Sequence, residues 1–411
     1  MTDFEHRPAH RLHPSVFMFL FAPYGIATGF VNVTLGFALT TAGVPVAEVA
    51  AIVAVGLLPQ TWKVLWAPII DTTLTRKRWY VLAATTTGLA MAATGFVPAT
   101  AESLPLFYAL VFGFNVTVSF LTMSVESLMA HATDDSQRGR AGGWLQAGNL
   151  GGLGLGGGAG LWLAEHVQGG WLPATVLGTA CIACGAGLVF IDEPPPERER
   201  LGRALLDVAA DVWSVAASRR GFLAMILFVL PIGTGAAANL WADVAGDWHA
   251  DADTVAFVGG VMSGLISAAG CLVGGYLCDA MHRLRAYALY GLLLALCAVV
   301  MAAAPRTPAM FVVISGAYNF ITGLSYAAFT AVSLEAIGRG AAATKYNLLA
   351  CLANMPIAYM TYYDGKVQTG WGSGSMFLFE AACGVLSIVA FSGILAAVRR
   401  YGFGLRVVPV T

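Results

Sequence analysis

Long apolar runs alternate with short polar segments along the whole chain. Six runs, at 15–39, 46–70, 79–97, 104–129, 141–164 and 171–191, precede a polar stretch at 192–220. Six more follow it, at 221–244, 254–277, 286–304, 308–335, 344–363 and 376–398. Each is near the roughly twenty residues a helix needs to cross a bilayer. Barrel strands would be about half that length and would alternate polar with apolar positions. The pattern predicts an all-α integral membrane protein of twelve transmembrane helices, since only helices and closed barrels satisfy their backbone in lipid.

Composition closes off the soluble alternative. The chain has 411 residues, of which 58% are hydrophobic and only 11% charged. A soluble domain carries roughly a quarter charged residues. Charge position then sets orientation. With both termini on the cytoplasmic side, 19 of the 22 Lys and Arg fall in cytoplasmic segments, Arg306 and Lys366 fall outside, and Lys63 lies within a span. This is the positive-inside bias. The first fourteen residues are polar and the next apolar run is too long for a signal peptide, so no cleaved leader is expected. The net charge of −1 gives no reason to expect a nucleic-acid partner. Cys181-x-x-Cys184 lies in an apolar run and reads as two small hydrophobes rather than a redox pair.

The stretch 192–220 divides the chain into bundles at 1–191 and 221–411. It opens with Pro194-Pro195-Pro196. It continues with Leu201, Leu205, Val208, Val212 and Val215 at helical spacing, which predicts a helix lying on the cytoplasmic face. The bundles repeat each other. Asp71 ends the second run and is followed by Arg76-Lys77-Arg78; Asp279 ends the eighth and is followed by Arg283 and Arg285. Asn115 and Asn319 hold nearly equal places in runs four and ten.

Two parallel six-helix pseudo-repeats with Gly275-x-Leu277-Cys278-Asp279-x-x-His282-Arg283-x-Arg285 resemble the major facilitator superfamily and its loop signature. Within it, Lys63-Val64-Leu65-Trp66-Ala67-Pro68-Ile69-Ile70-Asp71 is similar to a string of the AmpG-type permeases and the related acetyl-CoA transporters. Glu126 stands where that branch tends to carry an Asp, ahead of Arg138-Gly139. Ala343-Thr344-Lys345-Tyr346 resembles the branch's start of helix eleven. The resemblance implies alternating access and, for AmpG-type permeases, proton-driven uptake of muropeptides; siderophore importers share the same core. The chain departs from the muropeptide permeases in its twelve spans, in Glu126, and in His131 where a second acid is often found.

Lys63 and Glu126 are the leading candidates for binding an anionic group and for proton coupling, because an intramembrane charge marks function by default. Snorkelling of Lys63 and a gating latch at Glu126 are the competing readings. Asn115, Gln146, Asn149, Asn319 and Asn354, with Tyr318 and Tyr359, suit a cavity for a polar organic solute. Each taken singly could serve helix packing. Asp71, Arg76, Arg78, Asp279, Arg283 and Glu335 read as a cytoplasmic latch. Gly148, Gly152, Gly156 and Gly160 recur every four residues and predict close helix packing rather than a phosphate loop. No catalytic or metal motif appears, and no cofactor is expected. The expected working unit is a monomer in a bacterial inner membrane, moving a small-molecule substrate with protons. An integral-membrane enzyme, or a sensor on a transporter scaffold, is the alternative of another class.

Overall fold

The computed structural model describes residues 13–98, 100–167, 170–193, 201–338 and 342–401. Both termini, Pro194-Pro195-Pro196 and several of the counted arginines (Arg7, Arg11, Arg198, Arg200, Arg339, Arg406) lie outside the described residues. The fold is all-helical: among the described residues there is no extended strand. Among the described residues, eight helical stretches are long and apolar enough to cross a membrane.

In the amino-terminal half, α1 (Val16–Gly29) continues through a π-helical turn into α2 (Gly36–Thr41). Then α3 (Val46–Trp62) passes through a tight turn at Lys63–Leu65 into α4 (Ala67–Thr72). There follow α5 (Arg76–Thr94), α6 (Leu104–Ala132), α7 (Arg138–His166) and α8 (Leu172–Ala183). The linker forms α9 (Leu201–Ala217), where the sequence predicts a surface helix. It packs across α4, α10 and the start of α16, so it touches both halves.

The carboxyl-terminal half contains α10 (Arg219–Val229), α11 (Trp241–Val244), α12 (Ala252–Phe257), α13 (Ser263–Ala280), α14 (Arg283–Ala303), α15 (Pro308–Ile337) and α16 (Ala342–Tyr401). The runs at 344–363 and 376–398 are the two limbs of α16, which turns at Gly372 with φ of 80°.

The predicted span at 221–244 is interrupted by non-helical backbone. The run 221–244 leaves the helix at Leu230, whose ψ is 142°. Leu230 precedes Pro231, and the proline ring excludes its neighbour from helical geometry. Gly233 and Gly235 then take φ of +65° and +69°, open to glycine at no steric cost. Helical turns resume at Ala236.

The glycine comb of α7 fixes the central packing. A Cβ on Gly148, Gly152 or Gly156 would collide with the carbonyl oxygens of Met18, Ala22 and Ile26 respectively, all on α1. On another face of α7, a Cβ on Gly143 would lie 2.5 Å from the Cys271 carbonyl and 2.9 Å from the Gly275 Cα on α13. Helix α7 therefore seats α1 of its own half and α13 of the other with backbones nearly touching.

Candidate functional site: a charged cavity between the halves

The tight turn at Lys63–Leu65 ends α3 one turn early and places Lys63 inside the bundle. The indole N–H of Trp66 donates to the Ser119 hydroxyl at 2.9 Å and holds this turn against α6. Lys63 is 7% exposed and Glu126 2% exposed, and Lys63 Nζ lies 3.6 Å from Glu126 Oε1. Neither could stay charged in so dry a place alone, so each is the other's counter-ion. The second Glu126 oxygen accepts a hydrogen bond from the Asn347 side-chain amide at 2.7 Å. Asn347 belongs to α16, so the charge pair is tied across the two halves.

This pair lines a cavity of about 150 Å³, room for several waters or a polar group. Gln146, Asn149 and Asn354 line it as well, with Tyr24, Tyr326 and Tyr346. Gln146 donates to Thr330 of the other half at 3.0 Å and accepts from Asn149 at 3.0 Å. The remaining polar candidates lie elsewhere. Asn115 donates to the Val111 carbonyl of its own helix. The Asn319 amide nitrogen is buried without a partner, Tyr318 is fully buried against Glu380, and Tyr359 donates to the Val229 carbonyl. Helical periodicity put these four among polar positions of apolar runs, but not on the face that meets the cavity.

One end of the bundle, the end that carries α9, is closed by two matching clasps. Asp71, at the end of α4, accepts from the backbone N–H groups of Ala343 at 3.2 Å and Thr344 at 2.9 Å, and from the Thr344 hydroxyl at 2.8 Å. Asp279, at the end of α13, accepts from the N–H groups of Gly139 at 2.7 Å and Arg140 at 3.1 Å, and from Arg140 Nε at 2.8 Å. In each, a carboxylate of one half caps a helix that begins in the other, meeting N–H groups left free in the first turn. Burial pushes the Asp71 carboxyl up from the usual carboxylate range, against the hydrogen bonds of Thr344 and Ala343 and the charge of Arg76.

Arg283 strengthens this end by binding Glu335 at 3.1 Å and the Asp135 carbonyl across the halves. Arg76, grouped with the latch by sequence, instead binds Ser127 and His131 within its own half and Glu193 at the start of the linker. The Arg78 side chain takes part in none of the described hydrogen bonds or ion pairs; only its backbone N–H is engaged, by Thr75. Among the described residues, the polar contacts between halves lie at this end or at the level of the cavity.

Sequence reasoning passed over Asn347, Asp364 and Glu380. Part of the signal was present, since Asn347 and Glu380 are polar side chains inside apolar runs, whereas Asp364 falls one residue past the end of the run at 344–363.

A family model described as Major Facilitator Superfamily matches residues 16–358. No curated protein matches the chain in sequence. Among solved structures, the human organic anion transporter MFSD10 (TETRAN) is 16% identical with a TM-score of 0.68, covering 93% of this chain and 99% of its own. The E. coli fucose:proton symporter FucP is 14% identical with a TM-score of 0.72, covering 92% and 98%. The proton:xylose symporter XylE is 13% identical with a TM-score of 0.64, covering 93% and 94%. At these identities the likeness is one of fold.

Proposed function

Because the chain belongs to the major facilitator superfamily and is a multi-pass membrane transporter rather than an enzyme, we propose that it is a proton-coupled importer of a medium-sized polar organic solute. The observation that carries this reading is the Lys63–Glu126 pair, buried in a polar cavity between the halves and tied across them by Asn347. Lys63 offers a cation to an anionic group of the solute. Glu126, released from Lys63 when the solute takes that cation, accepts the coupling proton. The clasps at Asp71 and Asp279 open and close the α9 end as the halves rock.

The remaining particulars follow the charge bias and the resemblance to AmpG-type permeases. The chain crosses a bacterial inner membrane twelve times, with both termini and α9 cytoplasmic. It works as a monomer and carries a muropeptide, with a ferric siderophore as the alternative cargo. The closed α9 end then makes this an outward-facing arrangement.

Proteoliposomes test the reading. Uptake of a labelled muropeptide should require an inward-acid-flowing proton gradient and stop when a protonophore collapses it. Uptake of a ferric siderophore instead would change the cargo, and accumulation indifferent to the gradient would sink proton coupling. Cysteine labelling should find Thr73 and Ser136 on the cytoplasmic side and Ser103 and Asp251 outside. Labelling of Ser103 from the cytoplasm would overturn the orientation.

A further inference from the structure

The carboxyl-terminal half buries two acids that the central cavity does not use. Asp364 is on the first limb of α16 and Glu380 on the second; they are 0% and 8% exposed. Glu380 Oε1 accepts from the Tyr318 hydroxyl at 2.6 Å and from the Ala237 N–H at 3.4 Å. The other Glu380 oxygen and both Asp364 oxygens are buried with no hydrogen-bond partner among the described residues. The two carboxyls lie within electrostatic range of each other.

No cation answers them among the described residues. The titratable groups facing them are Tyr318 from α15, Cys297 from α14, and Cys383 from α16 itself. The nearby Arg306 stacks on the Trp248 ring at 3.7 Å, and Lys366 lies 5.6 Å from the Tyr362 ring centre. Two bare carboxylates that feel each other in so dry a place repel and lack hydration. The pair therefore holds at least one proton. Tyr318 and Ala237 donate to Glu380, and Asp364 has no donor among the described residues.

A second cavity touches Glu380. It measures about 10 Å³, room for a single water, and Pro231, Gly233, Thr234, Gly291, Glu380 and Gly384 are among its lining. Gly233 and Thr234 line the central cavity too. What separates the two spaces is thus the non-helical backbone at 230–235, not a packed helix.

We propose that Asp364 and Glu380 form a proton-binding site of the carboxyl-terminal half, which exchanges protons with the central cavity through a water at Gly233–Thr234. In the exchange, an O–H bond of the protonated water breaks and an O–H bond to Glu380 forms. The water regains a proton from the central cavity, and the pair passes from one negative charge to none. The site is separate from the Lys63–Glu126 pair, and its proton chemistry does not depend on which solute the central cavity takes.

Infrared absorption spectra of the purified, solute-free protein, recorded separately in mildly acidic and in alkaline buffer, test this. Wild type should show a carboxylic-acid C=O band with a titrating and a persistent component. Glu380→Gln, which keeps the acceptor for Tyr318 and Ala237, should lose the titrating component. Asp364→Asn should lose the persistent one. Tyr318→Phe should move the titrating component to higher frequency, an effect that a merely structural role for the acids does not produce. Thr234→Leu, which fills the partition, should slow hydrogen–deuterium exchange of the band. If Asp364→Asn fails to fold, Glu380→Gln decides alone. A spectrum unchanged in Glu380→Gln overturns the site, as does a band that responds to Na⁺ rather than to pH. Because no solute is present, a failure here leaves the transport reading standing, and a failure of solute uptake leaves this site standing.

Discussion

Each half of the molecule buries carboxylates, and it treats them differently. In the amino-terminal half, Glu126 has a cation 3.6 Å away and an amide donor 2.7 Å away. In the carboxyl-terminal half, among the described residues, three oxygens of Asp364 and Glu380 have no hydrogen-bond partner and no cation pairs with either acid. The first arrangement holds charge, and its donor Asn347 comes from the opposite half, so separation of the halves breaks it. The second lies within one half, on the two limbs of α16, and such separation leaves it intact. Burial alone therefore does not define a carboxylate's role. The paired one depends on its cation and on contact between the halves; the unpaired one depends on neither.

The largest expected effect comes from removing the cation. Lys63→Ala strips Glu126 of its counter-ion and should abolish uptake at an unchanged level of protein in the membrane, while Lys63→Arg retains part. Breaking one partner of a buried ion pair costs about 3–5 kcal/mol unless the survivor takes up a proton. If Lys63→Gln transports nearly normally, the two halves do not differ as described and Lys63 merely snorkels.

Next comes Glu126→Gln, which keeps shape and removes titration. Proton-driven uptake should fall to background while counterflow exchange persists. Normal proton-driven uptake would remove Glu126 from coupling and give that role to the carboxyl-terminal pair. Altered exchange as well would mark Glu126 as a latch.

A smaller effect is expected from Asn347→Ala. Hydrogen bonds to a charged group contribute about 1.5–3 kcal/mol, so the closed population at the α9 end should fall by roughly ten- to a hundredfold relative to the open one. Spin labels at Ser136 and His282 should read this as a longer distance distribution. An unchanged distribution would show that Glu126 is not coupled to the gate.

The smallest is Asp71→Asn. Asparagine keeps one carbonyl acceptor for the Thr344 N–H and loses the charge at the first turn of α16. A helix-terminus charge is worth about 0.3–1 kcal/mol, so the same labels should shift by less than roughly tenfold. Asp279→Asn should match it, because the two clasps are built alike; a large inequality would break the pseudo-symmetry.

Much of this architecture was legible in the chain, and for definite reasons. The spacing Gly148, Gly152, Gly156, Gly160 keeps one helix face bare of side chains; its first three glycines meet α1, and Gly160 meets Thr34 in the turn that follows α1. The repeat placed Asp71 and Asp279 at matching ends. The break at 230–235 was also written there, as Leu230-Pro231-Ile232-Gly233-Thr234-Gly235, but hydropathy averages across it and showed an unbroken span. Of the nine polar candidates for the cavity, Lys63, Glu126, Gln146, Asn149 and Asn354 line it, while Asn115, Tyr318, Asn319 and Tyr359 do not. Spacing along a helix tells which residues share a face, not which neighbour that face meets.

The sequence by itself determined what depends on one segment at a time. Apolar length made the helices, composition excluded a soluble protein, and a charge inside an apolar run marked Lys63 and Glu126 for attention. Only the tertiary structure decided pairings between residues far apart in the chain: Glu126 with Asn347, Asp71 with the first turn of α16, Glu380 with Tyr318. The physical reason is that burial in lipid is set by local hydrophobicity, whereas a buried charge is set by whichever partner packing brings within a few ångströms. Coulomb energy in a dry interior changes steeply over that distance, and no local pattern encodes it.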